Sequence, residues 1–218
     1  MKFHAEIDLV EALKSSIQSV YKRNHIKIFQ EVSLGYGIAD IVISDTKSFN
    51  TCRNSEEILN YTDINVLSLI ERAGSLIISD IINTTRCQKQ TIYKSVSKLI
   101  ELDYLIIQED KYIINKSYEL SFHNNFAIEA KLKDWKRALK QAYRYKWFAE
   151  YSFVVLDAYY TKSALKNIDH FIKYNVGLAS ISTDGTICRH YNPKRQKPFD
   201  QKMQILFSEK IKSQTLER

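Results

Sequence analysis

Near the start of the chain Ile7, Leu9, Val10, Leu13, Ile17 and Val20 recur at helical spacing, with Glu6, Glu11 and Lys14 between them. This predicts an amphipathic helix over about 6–21. The period then shortens. Ile26 and Ile28 alternate with Lys27 and Phe29, the run reaches Gly35-Tyr36-Gly37, and an apolar stretch follows over 38–43. That is the pattern of a β-hairpin, and its second strand carries one acid, Asp40.

After a polar stretch over 45–57 come three short helical segments, at about 63–73, 76–83 and 89–102. Two short apolar strands follow, 105–107 and 112–114, on either side of Glu109-Asp110-Lys111. Three helices and a two-stranded wing outline a winged helix-turn-helix. Its recognition helix would lie within 86–102, with Ile92, Val96 and Leu99 facing inward. Lys89, Gln90, Tyr93, Lys94 and Lys98 would face outward, where they could reach a DNA groove or its phosphates.

The strand pattern returns as F-A-I-E-A-K-L from Phe126, followed by a long helix from Asp134 to about Glu150. A strand at 151–157, a helix at 161–174, strands at 176–182 and 186–190, and an amphipathic helix near 199–213 complete the chain. With the middle set aside, the order is α-β-β-β-α-β-α-β. The expected architecture is an α/β sheet domain formed by 1–54 and 121–218, with the winged helix inserted as 55–120.

Composition narrows the class. Hydrophobic residues at 44% and charged residues at 26% exclude a disordered or fibrous chain, and only 7 Gly and Pro among 218 residues predict tight connections. No apolar run approaches the roughly 20 residues of a spanning helix, and the start M-K-F-H-A-E-I-D lacks a leader's apolar stretch. The expectation is a cytoplasmic protein with no membrane partner. Three widely separated cysteines, Cys52, Cys87 and Cys188, argue against a disulfide framework or structural zinc. A net charge of +7 favours a polyanionic partner.

The candidate chemistry lies where charge interrupts apolar strands. Asp40 sits in one such strand, and Glu129 and Lys131 stand two apart on another, so those two side chains share a face. Isolated charges in such places cost several kcal/mol by the usual estimates, so the three groups are expected to pair with one another or to bind a metal.

A-D-I-V-I at 39–43, E-A-K at 129–131 and the following helix D-W-K-R-A-L-K-Q-A-Y-R-Y together resemble the PD-(D/E)XK restriction-endonuclease-like nucleases. Gln141 and Tyr145 match the Gln-x-x-x-Tyr helix motif of several branches of that superfamily. The likeness covers 1–45 and 122–190, and departs from the pattern in having Ala39 where the family name has proline. It implies a restriction-endonuclease-like mixed central sheet flanked by helices. It also implies Mg2+, or Mn2+, held by Asp40, Glu129 and the carbonyl of Ala130, with Lys131 orienting or helping to deprotonate a water. A first-helix carboxylate often joins such sites as a further metal ligand or as an orienter of a water; Glu6 is favoured here, with Glu11 the other choice. The implied reaction is hydrolysis of a DNA phosphodiester.

The segment 129–150 carries seven basic and three acidic residues, Lys133 and Arg137 among the basic ones, which suits phosphate contacts beside the site. The insert is mildly acidic overall, with seven basic and nine acidic residues over 55–118, so a protein partner through the winged helix stays open. A homodimer is open by resemblance. The alternative function is a catalytically inactive, nuclease-like DNA-binding regulator or assembly factor.

Overall fold

Leu9, Leu13 and Ile17, spaced four apart, form the buried stripe of helix α1 (Glu6–Val20). Ile7, across the helix from Leu9, and Val20, its last residue, are exposed rather than part of that stripe. The hairpin follows as β1 (Ile26–Ser33) and β2 (Ile38–Asp45), antiparallel in the register Ile28↔Ile43 and Gln30↔Ile41. In the connecting turn Gly35 and Gly37 take φ of 86° and 132°, a region in which side chains are strained. This computed structural model describes residues 1–21, 26–35, 37–46 and 57–216. Tyr36 of the expected turn, Cys52 and the expected 54/55 boundary lie outside the described residues.

Two units divide the chain: Met1–Phe49 with Phe122–Gln201, and Asn50–Ser121 with Lys202–Arg218. The second contains α2 (Tyr61–Ala73), β3 (Ser75–Leu76), α3 (Ile78–Thr85), α4 (Lys89–Glu101), β4 (Leu105–Gln108) and β5 (Lys111–Ile114). Its strands form a small antiparallel sheet in the order β3-β5-β4. Asn60 caps α2 by accepting from the Thr62 and Asp63 N–H groups, and Ile64, Ile70, Ile81, Ile92 and Leu99 fill the core. Strand β3 gave no sequence signal, because two residues show no alternation.

The first unit continues with β6 (His123–Lys131), α5 (Trp135–Tyr145), β7 (Tyr151–Asp157), α6 (Lys162–Leu165), α7 (Ile168–Tyr174), β8 (Gly177–Ile181) and β9 (Ile187–Tyr191). The result is a mixed α/β unit with a six-stranded sheet in the order β1-β2-β6-β7-β8-β9. The β6/β7 and β7/β8 pairs are parallel and the others antiparallel. Leu9, Leu13 and Ile17 of α1 pack with Ile41, Ile43, Ile128 and Ala130 of the sheet, while α5 rests on β6 and β7.

Helix α5 stops at Tyr145, short of the expected Glu150. Lys146, Phe148 and Ala149 are all buried, so the alternation of faces that sustains a surface helix is lost, and the Phe148 and Ala149 N–H groups both return to the Tyr145 carbonyl. The helix expected over 161–174 is two, α6 and α7, parted near Asn167, whose side-chain amide donates to the Ser163 carbonyl.

The last helix, α8 (Gln201–Leu216), changes the expected division of the chain, because from Lys202 onward it belongs to the second unit. Ile205 joins that unit's core, and the buried Glu209 accepts from the Leu59 N–H at 2.5 Å and the Tyr118 hydroxyl at 2.7 Å. Among the described residues no helix is long and apolar enough to cross a membrane.

Candidate active site

Asp40 lies on β2 and Glu129 and Lys131 on the neighbouring β6, next to the antiparallel pair Ile41↔Ile128. Alternation turns Ile41, Ile128 and Ala130 toward α1, and sets the three charged residues on the other set of positions. The Ala130 N–H donates to Asp40 Oδ2 at 2.7 Å. Lys131 Nζ lies 3.1 Å from Glu129 Oε1 and 3.0 Å from Glu6 Oε2, so one ammonium joins a strand carboxylate to one from α1. From α5 the Tyr145 hydroxyl reaches Glu129 and stands 2.6 Å from the Ile38 carbonyl oxygen.

These contacts set the electrostatics. Burial pushes the Glu129 carboxyl above its ordinary range despite the Tyr145 hydrogen bond, and the nearby Asp40 charge adds to the rise. Asp40 is raised for the same first reason, against the Ala130 N–H and the Lys131 charge. Burial alone would lower Lys131, but the bonds to Glu6 and Glu129 outweigh it and hold the ammonium above the usual lysine range. Tyr145 is raised by burial and by the Glu129 charge, so its phenol keeps its proton.

The buried Glu129 beside the half-buried Asp40, whose charge adds to its cost of ionising, forms a place where a cation would be favourable. Asp40 has one oxygen on the Ala130 amide and, among the described residues, no donor on the other. Carboxylate oxygens suit a hard cation such as Mg2+. Among the described residues no three His, Cys, Asp or Glu side chains gather as a ligand cluster. Glu6 reaches the site through Lys131.

Glu6, half exposed, is thereby distinguished from Glu11, whose carboxylate accepts from Gln30 and lies 3.7 Å from Lys14. Gln141 makes no hydrogen bond to the carboxyls; its carbonyl oxygen is buried without a partner among the described residues. Lys133 and Arg137 are exposed near the start of α5. In the second unit Lys89, Gln90, Tyr93 and Lys94 are exposed on α4, and Ile92, Val96 and Leu99 are buried.

Lys98 departs from the expected outward set. Its ammonium lies 3.2 Å from the buried Asp63 and donates to the Ile58 carbonyl at 2.7 Å. Asp63 needs that partner because burial without a counter-charge would be costly. One positioning group left little sequence trace. Asp157, fully buried at the end of β7, accepts from the Phe3 N–H at 2.8 Å and the Tyr159 N–H at 2.9 Å, which fixes the chain just before α1 and hence the start of the helix that carries Glu6. An acid closing an apolar strand was its only signal.

Compared with known proteins, the chain matches no family model, no curated protein and no solved structure.

Proposed function

We propose that this chain is a metal-dependent nuclease that hydrolyses DNA phosphodiester bonds at a site of the PD-(D/E)XK type. The observation that carries this reading is the Lys131 ammonium between Glu129 and Glu6, with Asp40 tied to the next strand through the Ala130 amide. An acid on one strand and an acid-x-lysine on its neighbour, all partly or wholly buried, form a costly set of charges for a purely structural role.

Asp40, Glu129 and the carbonyl of Ala130 would hold Mg2+ or Mn2+. When bound, the ion supplies a Lewis acid for the phosphate and makes a water more acidic. Lys131, kept protonated by its two carboxylates, acts as a hydrogen-bond donor that orients a water or steadies phosphate charge. Glu6 positions Lys131, and Tyr145 holds the Glu129 side chain in place. Lys133 and Arg137 would meet phosphates.

The order α2-β3-α3-α4-β4-β5 supports reading the second unit as a winged helix. Lys89, Gln90, Tyr93 and Lys94 on α4 would then face DNA. The test is incubation of the full chain with end-labelled single-stranded, duplex and branched DNA, and with RNA, in Mg2+, in Mn2+ and in chelator. Metal-dependent cleavage of DNA is expected. Tight binding without cleavage in any condition would instead favour an inactive DNA-binding regulator.

A further inference from the structure

Helix α5 also carries a basic and aromatic face. Lys136, Lys140 and Tyr143, at i, i+4 and i+7, form one stripe along it, and with α7 they enclose an open cleft of about 560 Å³ within the first unit. Trp135 forms part of the wall, its ring centroid 5.8 Å from that of His170 and its indole N–H donating to Ser163. Tyr143 and Tyr174 meet edge to face at 5.4 Å, and each is 39% exposed, so ring surface stays open to a ligand. Lys136 Nζ lies 5.7 Å from the Trp135 ring centroid. Among the described residues no carboxylate lines the cleft.

Open aromatic surface beside ammonium groups selects a ligand that is both flat-ringed and anionic. We propose that this cleft binds one or two unstacked nucleotides of a single nucleic acid strand, with bases against the exposed Tyr143 and Tyr174 rings and phosphates on Lys136 and Lys140. A duplex hides its base faces in its own stack, so such a cleft discriminates in favour of single strands. A strand suits the site better than a free nucleotide because the basic surface continues beyond the cleft. Helix α5 carries Lys136, Arg137, Lys140 and Arg144 and no acid, while on α7 Lys173 and Asp169 are both exposed. The same helix bears Tyr145, which touches Glu129, so a strand held here lies along an element of the candidate active site. The identity of the polyanion rests on the nuclease reading; the binding does not.

The experiment measures anisotropy of labelled single strands of about 15 nucleotides, DNA and RNA, and of the matching duplex, in chelator so that no cleavage intervenes. The full chain is compared with the double variant Lys136→Glu/Lys140→Glu and with Tyr143→Leu, each checked for unchanged melting; Tyr174→Leu replaces Tyr143→Leu if the latter melts lower. Either kind of variant is expected to weaken single-strand binding by about tenfold or more, with the salt dependence reduced only when the lysines are changed. Unchanged single-strand affinity in the folded aromatic variant would overturn the proposal, since a merely positive surface does not need the ring. Full displacement of the strand by equimolar nucleoside monophosphate would also overturn it, in favour of a free-nucleotide cleft. Cleavage assays with metal keep the two readings apart. Strand binding lost in the cleft variants without cleavage by wild type sinks only the nuclease reading, whereas cleavage with cleft variants binding normally sinks only this one.

Discussion

A lysine with a carboxylate on either side, as Lys131 has in Glu129 and Glu6, stays protonated at neutral pH and works as a fixed charge. Asp40 carries the opposite tension. Burial holds its carboxyl above the ordinary value, so the folded protein keeps that proton to higher pH than the unfolded chain does. Stability is therefore lost as pH rises from the ordinary carboxylate range through the raised value, and the loss is complete above it. Asp40→Asn in chelator should melt a few degrees higher than wild type at neutral pH, as about 1 kcal/mol of stability would give. The gap should close below the ordinary carboxylate range, where both forms are neutral. Melting curves across pH check this, and a variant that melts lower at neutral pH would mean that the carboxylate stabilises the metal-free fold.

At the scale of elements, α4 separates surface chemistry from structural chemistry. Lys98→Ala would leave Asp63 buried without its cation, at a cost of about 3 kcal/mol, seen as faster hydrogen exchange in α2 and α4. Lys94→Ala, on the exposed face, should leave stability unchanged and weaken DNA binding with a smaller salt slope. The sequence distinguished Ile92, Val96 and Leu99 from Lys94 because helical period separates faces. It could not separate Lys94 from Lys98, because only the fold shows that Asp63 waits beside one of them. Asp40, Glu129 and Lys131 were legible for a related reason: a charge breaking an apolar strand needs a partner, and here Glu129 and Lys131 pair. The roles of Glu6 and Tyr145 in holding Lys131 and Glu129 needed the fold, since they depend on where α1 and α5 cross the sheet's neighbourhood. Helix α5 is shorter than its pattern predicts because its buried aromatic exit is helical in composition.

For the whole molecule, the chain returns at its end to a unit it left about eighty residues earlier, so the second unit is built from two separate segments. Amphipathicity announced α8 as a helix, but periodicity holds no information on which core receives it. Glu209→Ala would strand the Leu59 N–H and the Tyr118 hydroxyl, at a cost of about 2 kcal/mol, read as loss of exchange protection in the second unit. The Lys131 pairing lies in the first unit, and one comparison decides whether it serves cleavage. Wild type and Lys131→Ala are incubated side by side with labelled DNA in Mg2+ and in chelator, after both are shown to melt cooperatively. Cleavage by wild type that needs Mg2+ and falls at least about a hundredfold in Lys131→Ala is the predicted result. Equal cleavage by the two proteins, or none by wild type with any DNA form, would contradict it.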